Sequence, residues 1–291
     1  MRWPDVLKRT VGEIGDDNCL GLAAQLAFYF FLALFPALLF LVALVGFLPI
    51  ENTLTRLLAT LGPVAPSEVL SLLRGQLEQV AGGSHESLLT LGIAGAVWSS
   101  SAAMVAIIDA LNHAYDIDER RPWWKRRVVA IALTIALALF IVTSLVLVLA
   151  GPNVAFRVAE WFGLAPAFAL LWGVIRWPLM IFLVVLAVDL VYHFAPNRRG
   201  RWVWITPGSL LATSLWIVSS FAFKFYVTNL TNFNVTYGAI GGVVVLLLWF
   251  YVSGLAILIG AELNGVIEQA WRLARQPQTR HPAALAEPPR I

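Results

Sequence analysis

Cysteine is nearly absent. Cys19 is the only one in 291 residues, which excludes an intrachain disulfide and a cysteine-built metal site. Charge is also scarce, with 13% Asp, Glu, Lys and Arg where a soluble domain carries about 25%. The four histidines, His85, His113, His193 and His281, are scattered without ligand-like spacing. No glycine-rich nucleotide loop occurs, so this chain contains no ATP-driven pump of its own. Apolar residues fill the space instead. A 59% hydrophobic content and a mean hydropathy of +0.79 describe a membrane protein. The basic pI of 9.2 does not point to nucleic acid, because the Lys and Arg residues lie in short loops between apolar runs.

A membrane span needs about 20 mostly apolar residues, since the hydrocarbon core is roughly 30 Å thick. Six are predicted, at about 22–48, 88–113, 128–150, 166–193, 202–225 and 238–262. The first, beginning near Leu20, is too long for a cleavable signal and lacks a small-residue cleavage site, so it is expected to stay as a signal anchor. Fifteen Lys and Arg fall in the N-terminus, the 114–127 and 194–201 loops and the C-terminus, against four (Arg56, Arg74, Arg157, Lys224) on the other side. That excess places both termini in the cytoplasm. Trp123, Trp124, Trp202, Trp204 and Trp271 fall at interfaces on the same side. The expected fold is an all-α integral membrane protein: six transmembrane helices, N-in and C-in, forming one domain over 1–270. Between the first two spans, 51–87 is predicted to form an external amphipathic helical segment with Leu70, Leu73, Leu77 and Val80 on one face. It either packs on the bundle, covers a cavity or lies on the outer leaflet. The proline-rich tail, 271–291, is expected to be disordered.

Helices in lipid associate through small residues that allow close approach. The second span offers Gly95, Ser99, Ala102 and Ala106, the fifth Gly208, Ala212, Ser219 and Ala222, and the sixth opens with Gly238 and Gly242 in a GxxxG arrangement. Pro36 removes a backbone hydrogen bond in the first span and is expected to bend it.

Ionisable residues at membrane depth are the candidate functional residues, because they are costly there. Extending the stripe of the second span reaches Asp109 and His113, and the fourth span repeats the pair with Asp189 and His193. Spaced four apart, each Asp can meet its His. Two readings stand: a structural pair at a helix end, or a pair of protonatable gates. Arg176 lies roughly 15 Å into its helix at about 1.5 Å per residue. Either it is buried against carbonyls, the Ser99, Ser100 and Ser101 cluster, water or an anionic ligand, or it snorkels to the outer headgroups. Glu262 ends the last apolar run. It is expected to pair with Arg126, Arg127, Arg198 or Arg199, or to join a cytoplasmic gate.

The stretches QLAFYFFLALFPALL, IIDALNHAYD followed by ERRPWWKRR, YHFAPNRR leading to WITPGSLLATSLW, and TYGAIGGVVVLLLWFYVSGLAILIGAELN resemble the YihY/virulence factor BrkB family of bacterial inner-membrane proteins. The resemblance covers about 20 to 270, and the last motif is specific. It implies a six-helix, multi-pass protein of the bacterial plasma membrane, with a virulence label for some members and an older ribonuclease BN label. Arg is common in the family at positions 113 and 193, a departure that favours a generic basic partner for each Asp over histidine-specific chemistry. A ribonuclease is not expected, because the chain has neither a ligand cluster nor a soluble domain to hold RNA, and no enzymatic activity or cofactor is foreseen. The expected function is transporter-like, moving an anionic amphiphile or lipid past Arg176. The alternative is a non-transporting scaffold or envelope-integrity factor. Expected partners are membrane lipids, the amphiphile and a second copy of the chain, with no nucleic acid.

Overall fold

The computed structural model describes residues 3–46, 86–149, 165–198, 203–229 and 238–275. The predicted external segment lies outside them apart from 86 and 87, as do Arg56, Arg74, Arg157, Arg199 and the tail beyond 275. Seven helices occur among the described residues: α1 (Trp3–Asp16), α2 (Cys19–Gly46), α3 (Glu86–Ala114), α4 (Trp123–Leu149), α5 (Ala165–Phe194), α6 (Pro207–Asn229) and α7 (Gly238–Arg275). No strand is among them. Six, α2 to α7, are long and apolar enough to cross a membrane. This follows from the energetics of backbone in lipid, where every N–H and C=O must be satisfied within its own segment.

Helix α1 is an addition to the expected architecture. It ends at an elbow in which Asn18 adopts φ 49°, a left-handed conformation that Asn tolerates better than most residues. The Asn18 carbonyl accepts from Leu22 N–H at 3.0 Å and its side chain accepts from Gly21 N–H at 3.3 Å, which starts α2 at once. A Cβ at Gly21 would displace the Asn18 carboxamide from this position.

The spans form a closed ring in which α2 touches α3, then α4, α5, α6 and α7 follow in order, and α7 returns to α2. A contact between α3 and α7 bridges the ring, and α1 lies against α7 and α2. The centre is built on Leu26, Ile108, Leu111, Tyr192 and Leu258, all almost fully buried. Large apolar side chains face outward on every span, among them Phe28, Leu32, Val218 and Phe221, as lipid-facing surfaces require.

Close approach is concentrated where α6 crosses α7. A Cβ at Gly208 would collide with the Gly260 carbonyl, and one at Gly260 with the Gly208 carbonyl, Tyr192 Oη and Ala212 Cβ. The expected small-residue stripe on α3 needs correction. Gly95 and Ser99 are exposed and Ala102 is half-buried, while Ala106 is buried in the core; over the first turns the buried face is Ala96, Ser100 and Ala103, one residue round the helix. Ser100 and Ser101 turn inward without cost because their hydroxyls donate to carbonyls of their own helix, Ala96 and Trp98 respectively, at 2.8 and 2.7 Å. Gly242 is exposed with open space around it; Gly238 opens α7, and its surroundings lie outside the described side chains.

Candidate functional site

Between α4 and α5, with Ile107 of α3 and Ile257 of α7 also lining it, lies a partly open cavity of about 390 Å³. Ile107, Leu137, Phe140, Met180, Val184 and Ile257 line it, and only Ser144 and Tyr192 add polar atoms. Ligand pockets span about 300–1,000 Å³, so the volume suits a slender apolar body. On α5 the lining positions Met180, Val184, Val188 and Val191 recur at helical spacing, and Arg176 precedes Met180 by one turn on the same face. Arg176 is half-buried, its guanidinium 5.3 Å from the Trp177 ring, and its Nε is buried with no acceptor among the described residues. The serines offered as its partners are spent on α3 itself in the case of Ser100 and Ser101, while Ser99 is exposed.

Toward the C-terminal end of α5 lies a polar layer. It is built where α1, the 115–122 link, residues 195–198 and 203–206 and the end of α7 converge; we call this the link face. Its centre is Asp189, 2% exposed, whose carboxylate accepts from Thr206 Oγ1 at 2.6 Å, from Ser209 Oγ at 2.8 Å and from Thr206 N–H at 3.3 Å. Asn264 of α7 completes the cradle, accepting from Gly208 N–H at 2.8 Å and donating to Thr206 Oγ1 at 2.9 Å. A carboxylate and an amide thus satisfy the N-terminal donors of α6. The local sequence shows why a helix starts there: Thr206 caps, Pro207 occupies the first helical position, and Ser209 N–H donates back to Thr206 Oγ1 at 3.1 Å.

The ionisable residues therefore pair differently from expectation. Asp189 meets the α6 N-terminus rather than His193, which stacks edge-on against Phe194 with ring centroids 4.7 Å apart. Asp109 is half-exposed and forms an ion pair with Arg126 across α3 and α4 at 2.9 Å. His113 lies at 4.0 Å from Asp17 instead. Of the arginines expected to meet Glu262, Arg199 lies outside the described residues and the other three are engaged elsewhere: Arg126 is taken by Asp109, Arg127 donates to Trp98 O at 2.6 Å, and Arg198 pairs with Glu268 while its guanidinium lies 4.3 Å from the centre of the Tyr115 ring. Glu262, 2% exposed, accepts from Cys19 Sγ at 3.3 Å. The lone cysteine, given no role from sequence, is a buried donor.

Two links of the link face are pinned together by Glu119. It takes Arg121 bidentately at 2.9 and 2.6 Å and Asn112 Nδ2 at 2.9 Å, while Arg121 also donates to Ala195 O at 2.7 Å. Burial alone would raise the Glu119 carboxyl, but Arg121 and Asn112 outweigh it and hold it below its ordinary value. Burial pushes Asp17 up against the opposing pull of His113, and pushes the Tyr115 phenol up to about 12 despite Arg198 nearby. Among the described residues no group of three or more His, Cys, Asp or Glu is placed to hold a metal ion. Thr206, Ser209 and Asn264 were missed from sequence, although the Thr-Pro-x-Ser cap was legible.

These features define a class: a multi-pass α-helical membrane protein with six candidate spans, a partly open apolar cavity between four of them, and a hydrogen-bonded polar layer at the start of α6. The chain belongs to the virulence factor BrkB family, which it matches over residues 10–286. It is similar to the ribonuclease-like protein YfkH of Bacillus subtilis, 35% identical over 251 residues, 86% of this chain and 90% of that protein. It is also similar to UPF0761 membrane proteins of Alkalilimnicola ehrlichii, 29% identical over 92% of this chain, and of Methylibium petroleiphilum, 25% identical over 95% of it. The chain spans 58% and 66% of the length of those two proteins. No solved structure matches.

Proposed function

We propose that the protein moves an anionic amphiphile or lipid across or out of the membrane. One observation carries this reading: the apolar cavity of about 390 Å³ has Arg176 one helical turn beyond its lining on the same face of α5. An acyl chain fits the apolar walls, and the guanidinium supplies the bidentate donors that a phosphate or carboxylate headgroup accepts. The excess of Arg and Lys on the link face supports cytoplasmic termini, and the bacterial relatives support residence in the inner membrane as a single six-span domain. The experiment is reconstitution in liposomes with a fluorescent short-chain anionic lipid, following its redistribution between leaflets. The protein is expected to accelerate redistribution and Arg176→Gln to lower the rate at least tenfold. An unchanged lipid distribution counts against transport.

A second reading, a non-transporting scaffold of the envelope, is favoured by the pairing of the acids. Asp109, Asp189 and Glu262 all engage protein groups rather than the cavity. Under it, apolar substitution of Arg176 leaves the cellular phenotype intact while Gly260→Val destroys it.

A further inference from the structure

Helix α1 divides its surface into three sectors. At about 100° of rotation per residue, Arg9, Glu13, Val6 and Thr10 follow one another round one side. Val6 and Thr10 are buried there, Val6 against Leu263 and Val266 of α7, and Arg9 donates to Gln269 at 2.6 Å. The next sector is apolar: Ile14, at the elbow end, packs on the core, but Trp3 is 62% exposed, Leu7 52% and Val11 69%, with Pro4 beside them, all uncovered. The last holds Asp5, Lys8, Gly12, Gly15 and Asp16, all exposed. A helix resting on protein beside water needs only the first and last of these. The middle sector calls for an apolar phase next to the protein.

The elbow shows which phase that is. Only Asp17 and Asn18 separate α1 from Cys19, where the first membrane span starts, and Leu20 is already 56% exposed on the outer surface of α2. The apolar sector of α1 is therefore continuous with the lipid-facing surface of the bundle. We propose that α1 lies in the plane of the membrane interface, with Trp3, Leu7 and Val11 inserted at the headgroup–acyl boundary of the leaflet on the link face. Its third neighbour is lipid, as in monotopic amphipathic helices. The anchored helix is also a strut: Arg9 holds Gln269, and Gln269 donates to Asp116 of the 115–122 link at 2.7 Å. Lipid at α1 thus braces the link face, whatever the cavity carries.

The test is nitroxide labelling of single cysteines in full-length protein in lipid nanodiscs, in a Cys19→Ser background. Leu7→Cys and Val11→Cys are expected to give higher collision rates with oxygen than with a water-soluble nickel chelate, and Lys8→Cys and Gly12→Cys the reverse. If Cys19→Ser does not fold, the native background serves, because Cys19 is fully buried and an unlabelled parent is the control. Preferential nickel collisions at Leu7→Cys and Val11→Cys overturn the proposal, as does spin–spin broadening between copies at Leu7→Cys. So does loss of the oxygen preference only when residues 276–291 are present, which would make the tail the cover.

Discussion

Asp189 and His193 stand four apart on one helix, the spacing at which carboxylate and imidazole usually meet, and yet Asp189 turns to Thr206 and Ser209. The α6 N-terminus offers a carboxylate several fixed donors and the positive end of a helix dipole at once, which one surface imidazole does not match. Hydrogen bonds to a charged group contribute about 1.5–3 kcal/mol each, so Asp189→Ala is expected to cost at least about 3 kcal/mol, with Asp189→Asn intermediate. Thermal unfolding in detergent measures both. Titration supplies a second check. Glu119 has its folded pKa lowered, so its contribution is present above about pH 4.5 and is lost as pH falls through the folded value. Asp17 has its folded pKa raised, so its contribution is full below about pH 3.8 and is lost as pH rises through the folded value. Denaturation midpoints between pH 3 and 7 are expected to lose their acid-side fall in Glu119→Gln and their rise-side loss in Asp17→Asn. Profiles identical to the parent would remove these groups from the linkage.

Among elements, the crossing of α6 and α7 is the tightest joint, because Gly208 and Gly260 face each other backbone to backbone. Gly260→Val is expected to prevent assembly of the bundle, since the obstructing atoms are a carbonyl and a packed Tyr192 rather than a movable side-chain tip. Gly242→Val is expected to have little effect on the monomer, because nothing lies within reach of its Cβ. Size-exclusion profiles of the two variants in detergent separate these outcomes. The joint was partly legible in sequence as a small-residue stripe beginning at Gly208. On α3 the same logic chose Gly95 and Ser99 over the neighbouring buried face. Both faces carry small residues, and a hydroxyl that bonds its own helix leaves no mark in a periodicity count.

At the scale of the molecule, the apolar cavity between α4 and α5 makes transport testable without knowledge of the cargo. Val184→Trp is expected to fill the cavity and reduce lipid redistribution at least tenfold while thermal stability stays near the parent's. If redistribution survives with the cavity filled, the pathway runs elsewhere.

Length and apolarity determined six membrane-spanning helices, because a bilayer of fixed thickness admits backbone only in segments that satisfy their own hydrogen bonds. Sequence also singled out the costly residues, since an ionisable group at membrane depth stands out against an uncharged run. The tertiary structure alone decided their partners. Glu262 finds Cys19, 243 residues away, and Asp189 finds a helix end 17 residues on. Such pairings depend on which helices adjoin in the ring and at what rotation. Local spacing cannot encode that, because every small-residue face and every free donor competes for the same contact.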